Sequence, residues 1–177
     1  ILGVGKGASD DPQLIVMEYW GAPKAKSGGL TSGPVVLVGK GVTFDTGGIQ
    51  IKPGDSMYEM HMDMSGGAAV IHSVALAAKL KIKVNVVGLV PAVENALGPH
   101  AMRPGDILKS LSGKTIEILH TDAEGRVILA DALTYAKRYN PAIVADAATL
   151  TGAALTCFGE QANAFMPNRE DMIADFA

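Results

Sequence analysis

The sequence predicts an α/β domain: a mixed, mostly parallel sheet with helices on both faces, in three αβα layers. Three observations predict it. Strand-like and helix-like runs alternate along the whole chain, the pattern of layered α/β folds. The strand-like runs at 34–39 and 84–90 are continuously apolar, as strands covered on both faces are. Unusual polar residues follow directly after such runs, where open α/β sheets place their ligands.

Taken in order, Gly3-Val4-Gly5-Lys6-Gly7 lacks the GxGxxG spacing and a following long helix, which argues against a phosphate loop. Residues 14–20 read as a strand. Residues 21–33, rich in Gly, Pro, Ser and Lys, read as an exposed hairpin loop. The run at 34–39 delivers Lys40, and flanking Gly39 and Gly41 leave that lysine little apolar surface to lie along. Asp45 then falls in a loop where Gly47-Gly48 permits close backbone approach, and Lys52 precedes a Pro53-Gly54-Asp55 turn.

Asp63 is the one charge among Met60, Met62 and Met64, and an acid there needs a partner. Residues 66–80 read as a helix, apolar nearly all round and so buried between layers, with His72 as a satisfied core residue. A strand at 84–90 leads into a long loop over 91–105, and 115–119 reads as another strand. His120-Thr121-Asp122-Ala123-Glu124-Gly125-Arg126 packs two acids and a guanidinium into the turn before a helix at 127–136. Thr121-x-x-Glu124 also fits a capping box, so this turn has a purely structural reading. A short buried strand at 142–145 leads into a small-residue loop, Asp146 to Gly152. Both ends read as cut, the chain starting inside an apolar segment and stopping within a capped helix at 168–177; the expectation is a fragment of a longer protein.

Composition narrows the class. With 177 residues and 48% hydrophobic content the chain can bury a sizeable core. A net charge of −3 and pI ≈ 5.8 leave no basic footprint for nucleic acid or anionic membrane. Cys157 is the only cysteine, so no intrachain disulfide forms, which suits a reducing, cytoplasmic setting. No apolar run approaches the roughly 20 residues of a membrane span, and no signal peptide is visible.

The polar residues at strand ends are Lys40, Asp45, Lys52, Asp63, Asp122, Glu124 and Arg126. Four carboxylates meeting at one point would repel, and some would protonate. Two divalent cations about 3.5–4 Å apart would neutralise them and activate a shared water. Oxygen-rich ligation admits Zn, Mn or Mg. A rival set pairs His61-x-Asp63 with His120-x-Asp122 as a zinc site, but leaves Lys40, Asp45 and Arg126 without a role. A nucleotide binder on the glycine-rich loops is a further alternative; an acidic cleft repels phosphate unless metals intervene.

Three stretches resemble the motifs of the leucyl aminopeptidase (cytosol aminopeptidase) family: Gly39-Lys40-Gly41-Val42-Thr43-Phe44-Asp45-Thr46-Gly47-Gly48, Met62-Asp63-Met64-Ser65-Gly66 and Thr121-Asp122-Ala123-Glu124-Gly125-Arg126. Ala147-Ala148-Thr149-Leu150-Thr151-Gly152 also matches, and the resemblance runs through essentially the whole chain, in order. It implies that residues 1–177 are a catalytic domain of di-metal exopeptidase type, without the family's N-terminal domain and C-terminal remainder. It implies two divalent ions, Zn or Mn with Mg or Co as alternatives. Asp45 and Glu124 would bridge them, Asp122 would complete the exchangeable site, and Lys40 with Asp63 the tighter one. A lysine ligand must be neutral, so the metal and the like-charged surroundings would depress its pKa. Lys52 would polarise the scissile carbonyl, and Arg126 would hold a bicarbonate acting as general base. Peptides with a free N-terminus, leucine-like residues preferred, would be the substrates. A homo-hexamer would be the assembly, and the histidines at 61 and 120 would not be ligands. Some relatives also act as DNA-bound regulators, a role the charge of −3 argues against here.

Overall fold

β-branched and apolar runs form the strands of a five-stranded mixed sheet in the computed structural model, which describes residues 1–23 and 33–168. A short helix α1 (Leu2–Gly5) precedes β1 (Gln13–Trp20), β2 (Val35–Gly39) and β3 (Gly41–Asp45). A single turn α2 (Gly54–Met57) and a 3₁₀ turn (Met60–Met62) lead to α3 (Ser65–Lys79) and β4 (Asn85–Asn95). β5 (Ile107–Lys109) and β6 (Thr115–Glu117) follow, then a 3₁₀ turn (Thr121–Ala123), α4 (Glu124–Ala136), β7 (Ile143–Ala147) and α5 (Ala153–Phe158). The sheet order is β1-β4-β2-β7, with β3 also on β4. In this sheet, among the described residues, β1–β4 is antiparallel, whereas β2–β4, β3–β4 and β2–β7 are parallel.

Pleating decides which helix each face receives. Val36, Val38, Val87 and Leu89 point one way and pack on Leu129, Ala132 and Ala136 of α4. Gly88, between Val87 and Leu89, points the other way: a Cβ there would lie 2.9 Å from Val74 and 3.0 Å from Val70 of α3. The predicted αβα layering is therefore present, the sheet between α3 and α4. Burial of each such Val or Leu contributes about 1.5–3 kcal/mol.

Several expectations are corrected. The segment after residue 90 is not a loop at once: β4 continues through Pro91 to Asn95. Proline lacks a donor and normally interrupts a central strand. Here the register is the same on either side of Lys40 (Val38 beside Leu89, Gly41 beside Ala92), so Lys40 lies beside Pro91. Its backbone pairs elsewhere, with Lys40 N donating to Ala147 O at 2.9 Å and Lys40 O accepting from Gly67 N at 2.7 Å. Asp45 is not on a loop but is the last residue of β3, re-aimed by a register shift between Val42 and Asp45. The strand at 115–119 shortens to β6 and pairs with β5 in a separate hairpin, outside the main sheet.

α3 is not buried all round. Val70, Val74 and Ala77 meet the sheet, whereas Leu76 and Leu80 are exposed among the described residues. His72 lies on that open side, its Nδ1 2.8 Å from Ala68 O, and is not a core residue. β7 is a half-exposed edge and not a fully buried strand, and it includes Asp146. β1 and β2 flank β4 and do not pair with each other, so 21–33 joins no hairpin. The internal structure of 24–32 and the helix expected at 168–177 lie outside the described residues, save Asn168.

Candidate metal centre

β3 and β4 end side by side, and their last residues form the floor of the site. Thr46 ties the two ends together, its N and Oγ1 donating to Asn95 O at 3.0 and 2.7 Å. Asp45 is buried, and its Oδ1 accepts from Gly47 N at 2.9 Å and from Asn95 Nδ2 at 2.8 Å. Gly47 and Gly48 take φ of 86° and 68°, the left-handed region that favours glycine. The turn they make brings Lys52 N to Thr46 O at 2.9 Å. The Lys52 ammonium then lies 3.0 Å from Asp45 Oδ2 and pairs with Asp122 Oδ1.

The turn Thr121–Ala123 and the start of α4 form one wall. The capping box does not form. Thr121 Oγ1 donates to Gly47 O at 2.6 Å and accepts from Gln50 N at 3.0 Å, while Thr121 N donates to Gln50 Oε1 at 2.8 Å. The His120 ring takes the capping role instead, Nδ1 accepting from Asp122 N at 3.2 Å. Glu124 turns inward, its Oε1 2.9 Å from Lys40 Nζ. The lysine passes beneath the first turn of α4 because residue 125 is glycine: a Cβ there would lie 2.7 Å from Lys40 Cε.

Asp63 caps the third side, at the end of the turn Met60–Met62. Its Oδ1 accepts from Lys40 Nζ at 2.8 Å and from Thr149 Oγ1 at 2.7 Å, and Lys40 Nζ also donates to Thr149 O at 3.0 Å. Asp45, Asp122 and Glu124 each offer an oxygen, all within 4.8 Å of one another. Asp63 is not in that triad; Lys40 joins it to Glu124. Arg126 stands exposed on the first turn of α4 and makes no ion pair with a described residue. His61 and His120 are exposed and outside the acidic triad. Beside Lys52 and Asp122 a cavity of ≈ 420 Å³ opens, lined also by Gln50, Ser56 and His120.

Asn95 and Thr149 escaped the sequence reading as site residues. Asn95 sat in what looked like a loop beyond Pro91; its signal was an amide at the end of a long apolar run. Thr149 lay inside a matched motif, but only the fold shows its hydroxyl on Asp63.

The electrostatics favour a bound cation. Four carboxylates face two ammonium groups, a net charge of −2 in a largely buried site. Each like-charge pair at these separations costs about 3–4 kcal/mol at an effective dielectric of 20. Asp63 Oδ2 and Asp122 Oδ1 are buried and face a lysine without a well-aligned hydrogen bond. Oxygen atoms so placed, with a carboxylate-rich donor set, fit hard divalent ions.

Burial raises the pKa of Asp63 above its ordinary value, against the lowering by Lys40 and Thr149. Burial likewise raises Glu124, opposed by Lys40 and aided by Asp45. For Lys40, burial pulls down but Glu124 and Asp63 together outweigh it, so its pKa rises. Surrounded by acids alone, the lysine holds its proton.

The family model described as "Cytosol aminopeptidase family, catalytic domain" matches residues 1–177. The chain is 54% identical over 173 residues to a probable cytosol aminopeptidase of Syntrophotalea carbinolica, covering 97% of this chain and 33% of the relative. It is 52% identical to one of Nitrosospira multiformis, covering 97% and 32%. Among solved structures it is similar to a Caenorhabditis elegans leucine aminopeptidase, with TM-score 0.90, 38% identity and coverage of 98% of this chain and 34% of that one. The bottromycin maturation enzyme BotP in complex with Mn is similar at TM-score 0.78 and 40% identity, covering 89% and 33%. The chain thus spans about a third of the length of these relatives.

Proposed function

Because the chain belongs to the cytosol aminopeptidase family, we propose that it is a catalytic-domain portion of a metal-dependent aminopeptidase. The full protein would remove the N-terminal residue of peptides, leucine-like residues preferred. One observation supports this most: oxygens of Asp45, Asp122 and Glu124 converge within 4.8 Å, with Lys40 linking Asp63 to them and Lys52 at the cavity edge. Two divalent ions, Zn or Mn with Mg or Co as alternatives, would be held by Asp45, Asp122, Glu124, Lys40 and Asp63, and when bound would supply Lewis acidity and an activated water.

The side chains do the rest. Lys52, largely covered beside the cavity, would donate to a substrate carbonyl oxygen and steady negative charge developing there. Asp122 flanks the same cavity, and the ion it would help to hold would take the free amine of the substrate. Arg126 is exposed, makes no ion pair with a described residue, and would hold a bicarbonate, which would supply a general base. A homo-hexamer in the cytoplasm is the setting the family resemblance suggests; sedimentation of the full chain tests the assembly.

The direct test is release of p-nitroaniline from leucine p-nitroanilide by the full-length protein with added Mn or Zn. Turnover is expected; none under any divalent ion overturns the proposal. A second expectation concerns protons. Lys40, protonated with a raised pKa, must lose its proton to ligate, so metal binding releases about one proton and strengthens about tenfold per pH unit. As pH falls, Asp63 and Glu124, also raised, protonate earlier than ordinary carboxylates and weaken binding further. Calorimetry in two buffers of different ionisation heat reads the release; buffer-independent heats would remove Lys40 from the ligand set.

A further inference from the structure

Asn95 is almost wholly buried, yet its side-chain amide points at the acids rather than at the backbone of its own strand. Nδ2 lies 2.8 Å from Asp45 Oδ1, 3.4 Å from Glu124 Oε2 and 3.2 Å from Thr121 O. The amide has two N–H groups for these three acceptors, so Asp45 Oδ1 takes the shortest contact and Glu124 Oε2, the farthest, a shared one. Each carboxylate thus has one oxygen facing the same neutral donor. The other oxygen faces a lysine ammonium: Asp45 Oδ2 meets Lys52 at 3.0 Å and Glu124 Oε1 meets Lys40 at 2.9 Å. Asp45 comes from β3 and Glu124 from α4, and nothing covalent fixes their separation. A charged donor here would neutralise the acids and compete with a metal ion. An amide adds no charge and still fixes both orientations.

We propose that Asn95 is a positioning residue of the metal centre: it clamps one oxygen of Asp45 and one of Glu124, so that the remaining oxygens are presented together toward the bound cations. The Thr121 contact anchors the amide itself, since the Thr121 hydroxyl and N–H are already locked to Gly47 and Gln50. The role rests on the aminopeptidase reading for what the cations do, and on geometry alone for holding them.

The test uses the full-length protein and Mn²⁺ as the probe. The parent is first titrated by calorimetry and by Mn²⁺ electron paramagnetic resonance, which distinguishes a coupled ion pair from isolated ions. If the parent binds no divalent ion, the metal-dependent reading itself fails. If it does, Asn95→Asp, which keeps the shape but replaces the donor by an acceptor, is expected to weaken Mn²⁺ binding and to lose the coupled-pair signal. Asn95→Ser, which keeps one short donor that cannot span both acids, is expected to do the same less severely. Loss of a partner to metal ligands costs about 10–100-fold in affinity. Both variants are expected to retain the metal-free circular dichroism of the parent, and Asn95→Ser its melting profile too. Asn95→Asp is expected to melt lower, because it buries a further acid beside Asp45 and Glu124. Metal binding lost in a folded Asn95→Ser is a combination a merely structural residue would not give. Parental affinity and a parental coupled signal in the folded variants overturn the positioning role. Failure of both variants to fold overturns it too, since Asn95 would then be a framework residue.

Discussion

Replacing Glu124 by glutamine in the full-length protein is expected to cut turnover of leucine p-nitroanilide by about three orders of magnitude while leaving the fold intact. The side chain is buried at the junction of both halves of the site, 2.9 Å from Lys40 and within the triad with Asp45 and Asp122. Glutamine keeps its volume and an acceptor for Asn95 but removes the charge that a shared pair of cations requires. Several kcal/mol of transition-state stabilisation are at stake, at ~1.4 kcal/mol per factor of ten. Folding should suffer little. Burial already pushes the Glu124 pKa up, so the metal-free fold disfavours its charge, and neutralising it relieves repulsion with Asp45. Lys40 keeps Asp63 as a partner. The check is kcat beside metal stoichiometry and the metal-free melt; turnover within tenfold of the parent would remove Glu124 from the catalytic centre.

Lys40→Met is expected to have the largest effect on stability. The ammonium is 3% exposed and neutralises two buried acids, Asp63 at 2.8 Å and Glu124 at 2.9 Å. Methionine fills the space under Gly125 but strands both charges. Removing one partner of a buried ionic cluster costs about 3–5 kcal/mol. The sign of the pH dependence follows from the acids. Both have folded pKa values raised by burial, so their penalty is greatest at neutral pH and fades as pH falls through those values. The variant should therefore lose most stability near neutrality and recover part of it in mild acid. Adding Asp63→Asn should restore more than independent effects would allow, in a denaturant double-mutant cycle on the metal-free protein. Additive losses, or a pH-independent loss, would show that Lys40 does not neutralise these acids.

Periodicity and turn chemistry made much of this arrangement legible. The strands at 14–20 and 34–39 and the helices α3 and α4 follow from their apolar runs and the turn residues that bound them, and the polar residues at strand ends marked the site. What stayed hidden depends on contacts between distant segments. Pro91 reads as a breaker, and only Lys40 pairing with Ala147 and Gly67 makes it tolerable in β4. With β4 read as ending early, Asn95 could not be seen at the strand end beside Asp45. Thr121-x-x-Glu124 satisfies a local rule, yet the buried lysine and the Gly47–Gln50 turn compete for both side chains and win. His72 and Leu76 looked internal because alanine-rich helices often are; which side of such a helix meets a sheet is not written in its composition.

The unshifted register on either side of Lys40 carries a consequence for length variation. Side chains along a strand alternate faces, so deleting or inserting one residue between Val38 and Val42 would invert everything downstream. Asp45 would swing away from its neighbours, and the lysine would lose its path beneath α4. Natural or engineered versions of this segment should therefore keep its residue number, and chimaeras should be joined outside it.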